Sequence, residues 1–330
     1  MAASNGGALP VVDLAPFFAR DGADDAGARA RATEAVREAC QATGFFRAVN
    51  HGVPRELKAR ALELSAAFFA LPDEEKAKVR PAEGASAAPL PVGYARQPAH
   101  SDDKNEYLLL FNPNLGSTTT PPSRPDSEKE FIFRDALEEC YAKLAELGLL
   151  VQDILSECMG LPRGFLAEYN ADRGFDFLTA LRYFPATSSD ENNGISAHED
   201  GNCITFVLQD GVGGLEVLGA DGRWVPAESV EGSIVVNVGD VLQVLSNKKF
   251  KSAPHRVVRR PGAHRHSIAF FLNLHGDKWV EPLPEFAGHA GEPPRYRGFR
   301  YNEYMQLRMR NKTHPPARPE DVVHITHYEI

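Results

Sequence analysis

The sequence predicts a mainly β protein: a jelly-roll core wrapped by helices. Between residues 175 and 275 short runs of β-formers recur between turns: FLTALRYF, ISAHED, ITFVLQD, GGLEVL, RWVPAE, SIVVNVG, LQVLSN, HRVVRR and HSIAFFLNL. Many short strands at close spacing mark a sandwich or barrel. Upstream, apolar residues return at helical intervals instead, and no long parallel β-α-β alternation develops anywhere.

The first third reads mainly helical. ADDAGARARATEAVREACQAT (23–43) is rich in Ala, Glu and Arg, with apolar positions at Ala32, Ala35, Val36 and Cys40. GFFRAVNHGVP (44–54) then alternates and ends in turn formers, so it predicts a strand and a turn. RELKARALELSAAFFALP (55–72) returns to helix, with Pro72 as its stop. Residues 81–126 are rich in Pro, Ser and Gly and predict a long loop holding one short strand, NEYLLLF (105–111). A second long helix is expected from Ser127, where Ser127–Glu130 fits a capping box. Its apolar stripe runs through Leu137, Cys140, Leu144, Leu147, Val151, Ile154, Leu155 and Cys158 until Gly160 and Pro162 break it. Past the β region, 291–312 predicts a loop and a final helix. The stretches divide into an N-terminal mixed helical region (1–126), a backing helix (127–170), the jelly-roll core (175–275) and the C-terminal helix (291–312). All are expected in a single folded unit, 1–330, with no internal repeat.

A chain of 330 residues can bury a sizeable core, and its 43% hydrophobic and 25% charged content is that of a soluble globular protein. Its net charge of −9 argues against a nucleic-acid surface or an anionic-membrane partner. Cys40, Cys140, Cys158 and Cys203 lie far apart with no C-x-x-C, so neither a structural zinc site nor a disulfide framework is expected. A reduced compartment follows. No apolar run is long enough to span a bilayer, and MAASNGGALPVVDL lacks the pattern of a signal peptide. The expectation is a cytoplasmic protein, taken as a monomer by default.

ISAHED raises the chemical question. In an extended segment His198 and Asp200 point to one face while Glu199 points to the other. His255, in SAPHRVV, is a third candidate ligand at the start of another strand. Two His and one carboxylate on one face of an octahedron leave open positions and suit non-haem Fe(II), although zinc hydrolases use the same residue types. Taken alone, His255 also fits an ordinary surface or core histidine. Arg265-His266-Ser267 follows, and on a strand Arg265 and Ser267 share a face. A guanidinium plus a hydroxyl can hold a carboxylate, as a 2-oxo diacid chelating a nearby metal requires. Arg265 equally lies in a basic stretch, RVVRRPGAHRH, that fits a solvated edge.

Together, HED, HRV at His255 and RHS resemble the H-x-D…H…R-x-S pattern of the 2-oxoglutarate- and Fe(II)-dependent dioxygenases. More narrowly, the chain resembles their plant-type branch of flavonoid and hormone oxidases, related to isopenicillin N synthase. LPVVDL (9–14), GFFRAVNHGVP (44–54), FFALPDEEK (68–76), GGLEVL (213–218), VVNVGDVLQVLSN (235–247) and KSAPHRV (251–257) keep the family's order over roughly residues 9–310. The resemblance implies a double-stranded β-helix with His198, Asp200 and His255 as iron ligands. It implies Arg265 and Ser267 as partners of the far carboxylate of 2-oxoglutarate, O2 as oxidant, ascorbate as reductant and a scaffold role for His51. The implied reaction oxidises, chiefly by hydroxylation, a small organic metabolite such as a plant hormone or a phenolic or flavonoid compound, while 2-oxoglutarate becomes succinate and CO2. Two other readings stay open: a same-fold Fe(II) oxidase that does not use 2-oxoglutarate, and a non-catalytic small-molecule-binding protein.

One stretch departs from the family. Many members carry Asn-x-Tyr-Pro on the strand before the H-x-D, with Asn and Tyr touching the cosubstrate; here Arg182-Tyr183-Phe184-Pro185 stands instead. If Pro185 sets the register, Arg182 and Phe184 take those two places, and Tyr183 faces away unless a bulge shifts the strand. Arg182 would then contact the cosubstrate, read an acidic substrate group or pair with a surface acid. Pocket candidates are the residues after NEYLLLF, the Leu178–Phe184 strand, and the surroundings of Phe271 and Asn273.

Overall fold

Among the described residues two large sheets, a two-stranded pair and a helical layer build the fold. The computed structural model describes residues 8–18, 25–80, 93–111, 128–188, 192–288, 292–313, 318 and 321–330. The N-terminal part holds β1 (Val11–Asp13), α1 (Asp25–Ala42), β2 (Phe45–Val49), α2 (Arg55–Phe69), α3 (Asp73–Ala77), β3 (Gly93–Arg96) and β4 (Asn105–Phe111). α4 (Glu128–Cys158) and α5 (Phe165–Tyr169) lead into β5 (Phe177–Tyr183), β6 (Asn193–His198), β7 (Ile204–Gln209), β8 (Leu215–Leu218), β9 (Trp224–Pro226) and β10 (Ser233–Val238). α6 (Asp240–Leu245), β11 (His255–Val258), β12 (Arg265–Leu272), β13 (Trp279–Val280), β14 (Phe299–Arg300) and α7 (Tyr301–Thr313) complete it.

The larger sheet runs β1-β2-β10-β7-β12-β5-β4-β3 and the smaller β6-β11-β8-β9. Their pairing is antiparallel throughout except for β1 on β2, so sequence neighbours alternate between two faces. One parity of the large sheet packs against the helices: Ile204, Phe206 and Leu208, Ile234, Val236 and Val238, and Ile268, Phe270 and Leu272 join Val36, Leu57, Leu144 and Val151 in one core. The other parity closes on the small sheet, where Leu181, Tyr183, Val235 and Ala269 meet Leu215, Val217 and Val257. This is the jelly roll, with its interior between the sheets. Truncating a fully buried ring such as Phe270 costs about 3–5 kcal/mol.

Several expectations are corrected. LQVLSN forms α6, not a strand; every residue from Asp240 to Leu245 is buried, so no face-to-face period marks it as a helix. α2 stops at Phe69, and Pro72 caps the separate short helix α3. α5, β13 and β14 carry too few residues to show a period. The capping box at Ser127–Glu130 and the pocket candidates after Phe111 fall outside the residues whose side chains are described. Among the described residues the four cysteines are free and buried, and no helix is long and apolar enough to cross a membrane.

Candidate metal centre

His198 ends β6, His255 begins β11, and the two are register partners, with ring centroids 4.4 Å apart. β6 reaches this point anchored by Asp103, whose carboxylate accepts the Ser196 backbone N–H at 2.8 Å and the Ser196 hydroxyl at 2.5 Å. Asp200 lies past the strand end, yet it still turns to the same side as His198. One ligand atom from each of His198, Asp200 and His255 lies within 4.8 Å of the others, and no other such trio of His, Cys, Asp or Glu occurs among the described residues. Asp200 Oδ1 is 3.7 Å from His198 Nε2 and 3.6 Å from His255 Nε2.

The surrounding bonds aim these atoms. His198 Nδ1 faces the Ser196 carbonyl at 2.8 Å and His255 Nδ1 faces that of Ala253 at 3.3 Å. A ring nitrogen facing a carbonyl must carry the proton, which leaves each Nε2 with its lone pair toward Asp200. Asp200 Oδ2 accepts from Thr205 Oγ1 at 2.7 Å and from Asn237 Nδ2 at 2.8 Å, so Oδ1 remains for a cation. Burial pushes Asp200 up, but the hydrogen bonds from Thr205 and Asn237, joined by the charge of His255 and His198 whenever those rings are protonated, outweigh it and keep the carboxylate below its ordinary value and ionised. Two neutral nitrogens and one ionised oxygen sharing a focus are a donor set for Fe(II), and the three residues could hold it.

One row of inward side chains crosses the large sheet at this level: Phe45, Asn237, Thr205, Phe271, Phe177 and Phe111, on β2, β10, β7, β12, β5 and β4. Phe45 meets the His255 ring edge-on at 5.3 Å, and Asn237 and Thr205 hold Asp200. The row then continues as an aromatic wall, Phe271 stacked on Phe177 at 4.5 Å and Phe177 against Phe111 at 5.7 Å.

Deeper on the same face lies Arg265, 2% exposed. It donates to Ser267 Oγ at 3.2 Å and to Gln209 Oε1 at 2.9 Å, while its Nε has no partner among the described residues. A buried guanidinium with no carboxylate in its bonds and a donor left over fits an incoming anion. Gly214 lies nearby, where φ +105 and the Val258 carbonyl, 2.3 Å from where a Cβ would stand, both require glycine.

The register expected from Pro185 is corrected. β5 pairs without a bulge, Tyr183 opposite Arg265 and Arg182 opposite His266, so Tyr183 faces inward and Arg182 outward. Tyr183 carries the Arg265 guanidinium over its ring at 4.7 Å. Arg182 is turned from the interior between the sheets and pairs with Glu106 at 2.5 Å, a buried acid and not a surface one. Phe184 packs outside as well, against His264. His51 is buried and its Nδ1 accepts the Val53 N–H at 3.2 Å, closing the turn after β2. Sequence reasoning missed Thr205, Gln209 and Asn237. Their signal was present: each is a polar residue at the inward parity of a mostly apolar strand.

A jelly roll whose interior focuses two imidazoles and one carboxylate is the architecture of a non-haem metal oxygenase. The chain belongs to the 2-oxoglutarate–Fe(II) oxygenases. Residues 175–274 match the model of the 2OG-Fe(II) oxygenase superfamily, and 9–120 match the N-terminal model of non-haem dioxygenases in morphine synthesis. The 2-oxoglutarate-Fe(II) type oxidoreductase hxnY of Emericella nidulans is 34% identical, with 88% of this chain and 86% of that protein covered. Flavanone 3-dioxygenase 2 of Oryza sativa subsp. japonica is also 34% identical, over 90% of this chain and 82% of that one. Among solved structures, JOX2 in complex with 2OG, Fe and JA superposes with a TM-score of 0.77 at 27% identity, covering 96% of this chain and 88% of that one. The protein is thus an oxidoreductase of a family that implies Fe(II) and 2-oxoglutarate.

Proposed function

We propose that His198, Asp200 and His255 hold Fe(II), and that Arg265 and Ser267 hold the far carboxylate of 2-oxoglutarate beside Tyr183. The observation that carries this is the convergence of Asp200 Oδ1 with both Nε2 atoms in a family whose members pair iron with the keto acid. Bound there, the iron supplies O2 activation coupled to oxidative decarboxylation of the keto acid. The chain's own work is positional. Thr205 and Asn237 keep Asp200 ionised and aimed, the two backbone carbonyls set the imidazole tautomers, and the Arg265 fork fixes the diacid's orientation.

The substrate is a small organic metabolite of hormone or phenolic type, hydroxylated near the metal. Phe271, Phe177 and Phe111 support a flat, apolar substrate portion, and the inward-facing Tyr107 offers a hydroxyl beyond them. Arg182 is spent on Glu106 and gives no support for an acidic group read from β5. Ascorbate serves as reductant, and the chain acts as a cytoplasmic monomer. It works as a single unit, with residues 175–275 as the catalytic core backed by 127–170, and with 1–126 and 291–312 wrapped around it. The test is a panel of hormones and phenolics incubated with enzyme, Fe(II), 2-oxoglutarate and ascorbate. Succinate formed in step with an oxidised substrate is expected. A panel that yields no succinate above an Asp200→Ala control would overturn the assignment.

A further inference from the structure

β6 ends at His198, so no ladder bond holds the link from Glu199 to Asp200 that sets the angle between two of the proposed ligands. Consecutive carbonyls of that link are held instead, and both holds lead to α7. The Glu199 carbonyl accepts a hydrogen bond from Arg308 Nη2. The Asp200 carbonyl accepts the Asp240 backbone N–H at 2.7 Å, and the Asp240 carboxylate in turn accepts the Tyr304 hydroxyl at 2.5 Å. Tyr304 and Arg308 are one helical turn apart on the same face of α7.

Further contacts close the arrangement. The Glu199 side chain points away from the metal, its carboxylate 3.8 Å from Arg308 Nη1 and 3.2 Å from His324 Nδ1 in the C-terminal tail. Arg308 Nη1 also donates to the Val323 carbonyl at 3.3 Å. Between the two holds, a Cβ on Gly201 would stand 3.1 Å from Met305 Sδ, so α7 lies directly on the loop. The Arg308 side chain is only 13% exposed, which removes most of the competition from water.

We propose that Arg308 is a positioning residue of the metal centre, fixing from α7 the Glu199–Asp200 peptide that leads from one ligand to the next. A donor on the carbonyl of residue 199 fixes the peptide plane on one side of the Asp200 Cα, and the donor on carbonyl 200 fixes the other. Together they set where the carboxylate points. Without Arg308 the three donors remain, but their spacing is no longer imposed before the ion arrives. Loss of such outer support typically weakens metal binding by about 10–100-fold. Glu199 therefore has a part that its outward direction conceals: it gives the guanidinium a carboxylate and a carbonyl on one residue, which the planar fork can engage together.

The proposal rests on His198 and Asp200 being metal ligands, and the experiment separates the two claims. Mn(II) binding to the full-length apoprotein is measured by calorimetry for wild type, Arg308→Ala, Arg308→Lys, Asp200→Ala and Arg297→Ala, with circular dichroism reporting folding. Arg297 holds the same tail at the His327 carbonyl, away from the ligand loop, and serves as control. Arg308→Ala is expected to raise the Mn(II) dissociation constant about tenfold or more, with Arg297→Ala within about twofold of wild type. Arg308→Lys, a point charge lacking the fork, is expected to lose at least about threefold. Wild-type affinity in folded Arg308→Ala overturns the role of Arg308; should that variant not fold, wild-type affinity in Arg308→Lys does so. An equal loss in Arg297→Ala also overturns it, since general loosening of the tail then suffices. Undiminished Mn(II) binding by Asp200→Ala strikes the metal-site assignment itself.

Discussion

The guanidinium of Arg265 lies over the ring of Tyr183, 4.7 Å from its centre, and the two residues are direct partners across β12 and β5. Behind the ring stands Gly194 of β6, where a Cβ would come 2.7 Å from Tyr183 Cδ1. Asn105 ties that strand in by donating to the Gly194 carbonyl at 2.7 Å. Backbone, ring and guanidinium thus pack together, and the ring's face supports Arg265 alongside its bonds to Ser267 and Gln209. Tyr183→Phe keeps the face, whereas Tyr183→Leu removes a cation–π contact worth about 0.5–2 kcal/mol. The Phe variant is expected to keep the KM for 2-oxoglutarate within about threefold, and the Leu variant to raise it by about tenfold. Equal losses in both would assign the effect to the hydroxyl.

Arg265 itself is tested by Arg265→Lys. An ammonium cannot serve Ser267, Gln209 and the proposed carboxylate together, as a planar fork can. A lost charged hydrogen bond of about 1.5–3 kcal/mol predicts a rise of about ten- to hundredfold in the KM for 2-oxoglutarate. The KM for the organic substrate should move far less. A cosubstrate KM left where it was would move the clamp to other residues.

The fold class and the three convergent residues were legible because each leaves a local mark. Short β runs alternate, and His198, His255 and Arg265 sit at strand ends with Asp200 two residues past one. What was not legible depends on partners distant in the chain. The inward direction of Tyr183 is set by pairing with Arg265; Pro185 lies beyond the end of β5 and has no part in that register. α6 could not be told from a strand because it is buried on every side. Asn237 reaches Asp200 across 37 residues, so only the sheet brings the two together.

That support is measurable. Thr205→Val and Asn237→Leu each keep side-chain volume roughly constant while removing one donor to Asp200 Oδ2. Each is expected to weaken Fe(II) or Mn(II) binding by about 10–100-fold, and their effects should not add, because both act on one oxygen. Calorimetric titration of the two single variants and the double variant checks this. Strict additivity would mean that the donors act through separate groups.

Glu106 sets a pH-dependent part of the stability from the outer face of the large sheet, opposite the metal centre. It is fully buried, and its carboxylate meets Arg182 at 2.5 Å, Tyr94 at 2.7 Å, Arg96 at 2.9 Å and Lys76 at 3.3 Å. Burial pushes the acid up, but the bonds from Tyr94 and Arg96 and the charges of Arg182 and Lys76 outweigh it and hold it below the ordinary value of 4.5. Glu106→Gln leaves these cations around a neutral amide and is expected to cost about 3–5 kcal/mol at neutral pH. Because the folded-state value is depressed, the stabilisation is complete above about pH 4.5 and drains away as pH falls through the lowered folded value. The gap in Tm between wild type and Glu106→Gln should therefore be wide at pH 7 and shrink toward pH 3, as the wild-type acid takes up the proton that the amide does not need. A gap of constant width over that range would show that Glu106 stays ionised throughout, or that its charge is not what holds Lys76 and Arg182 in place.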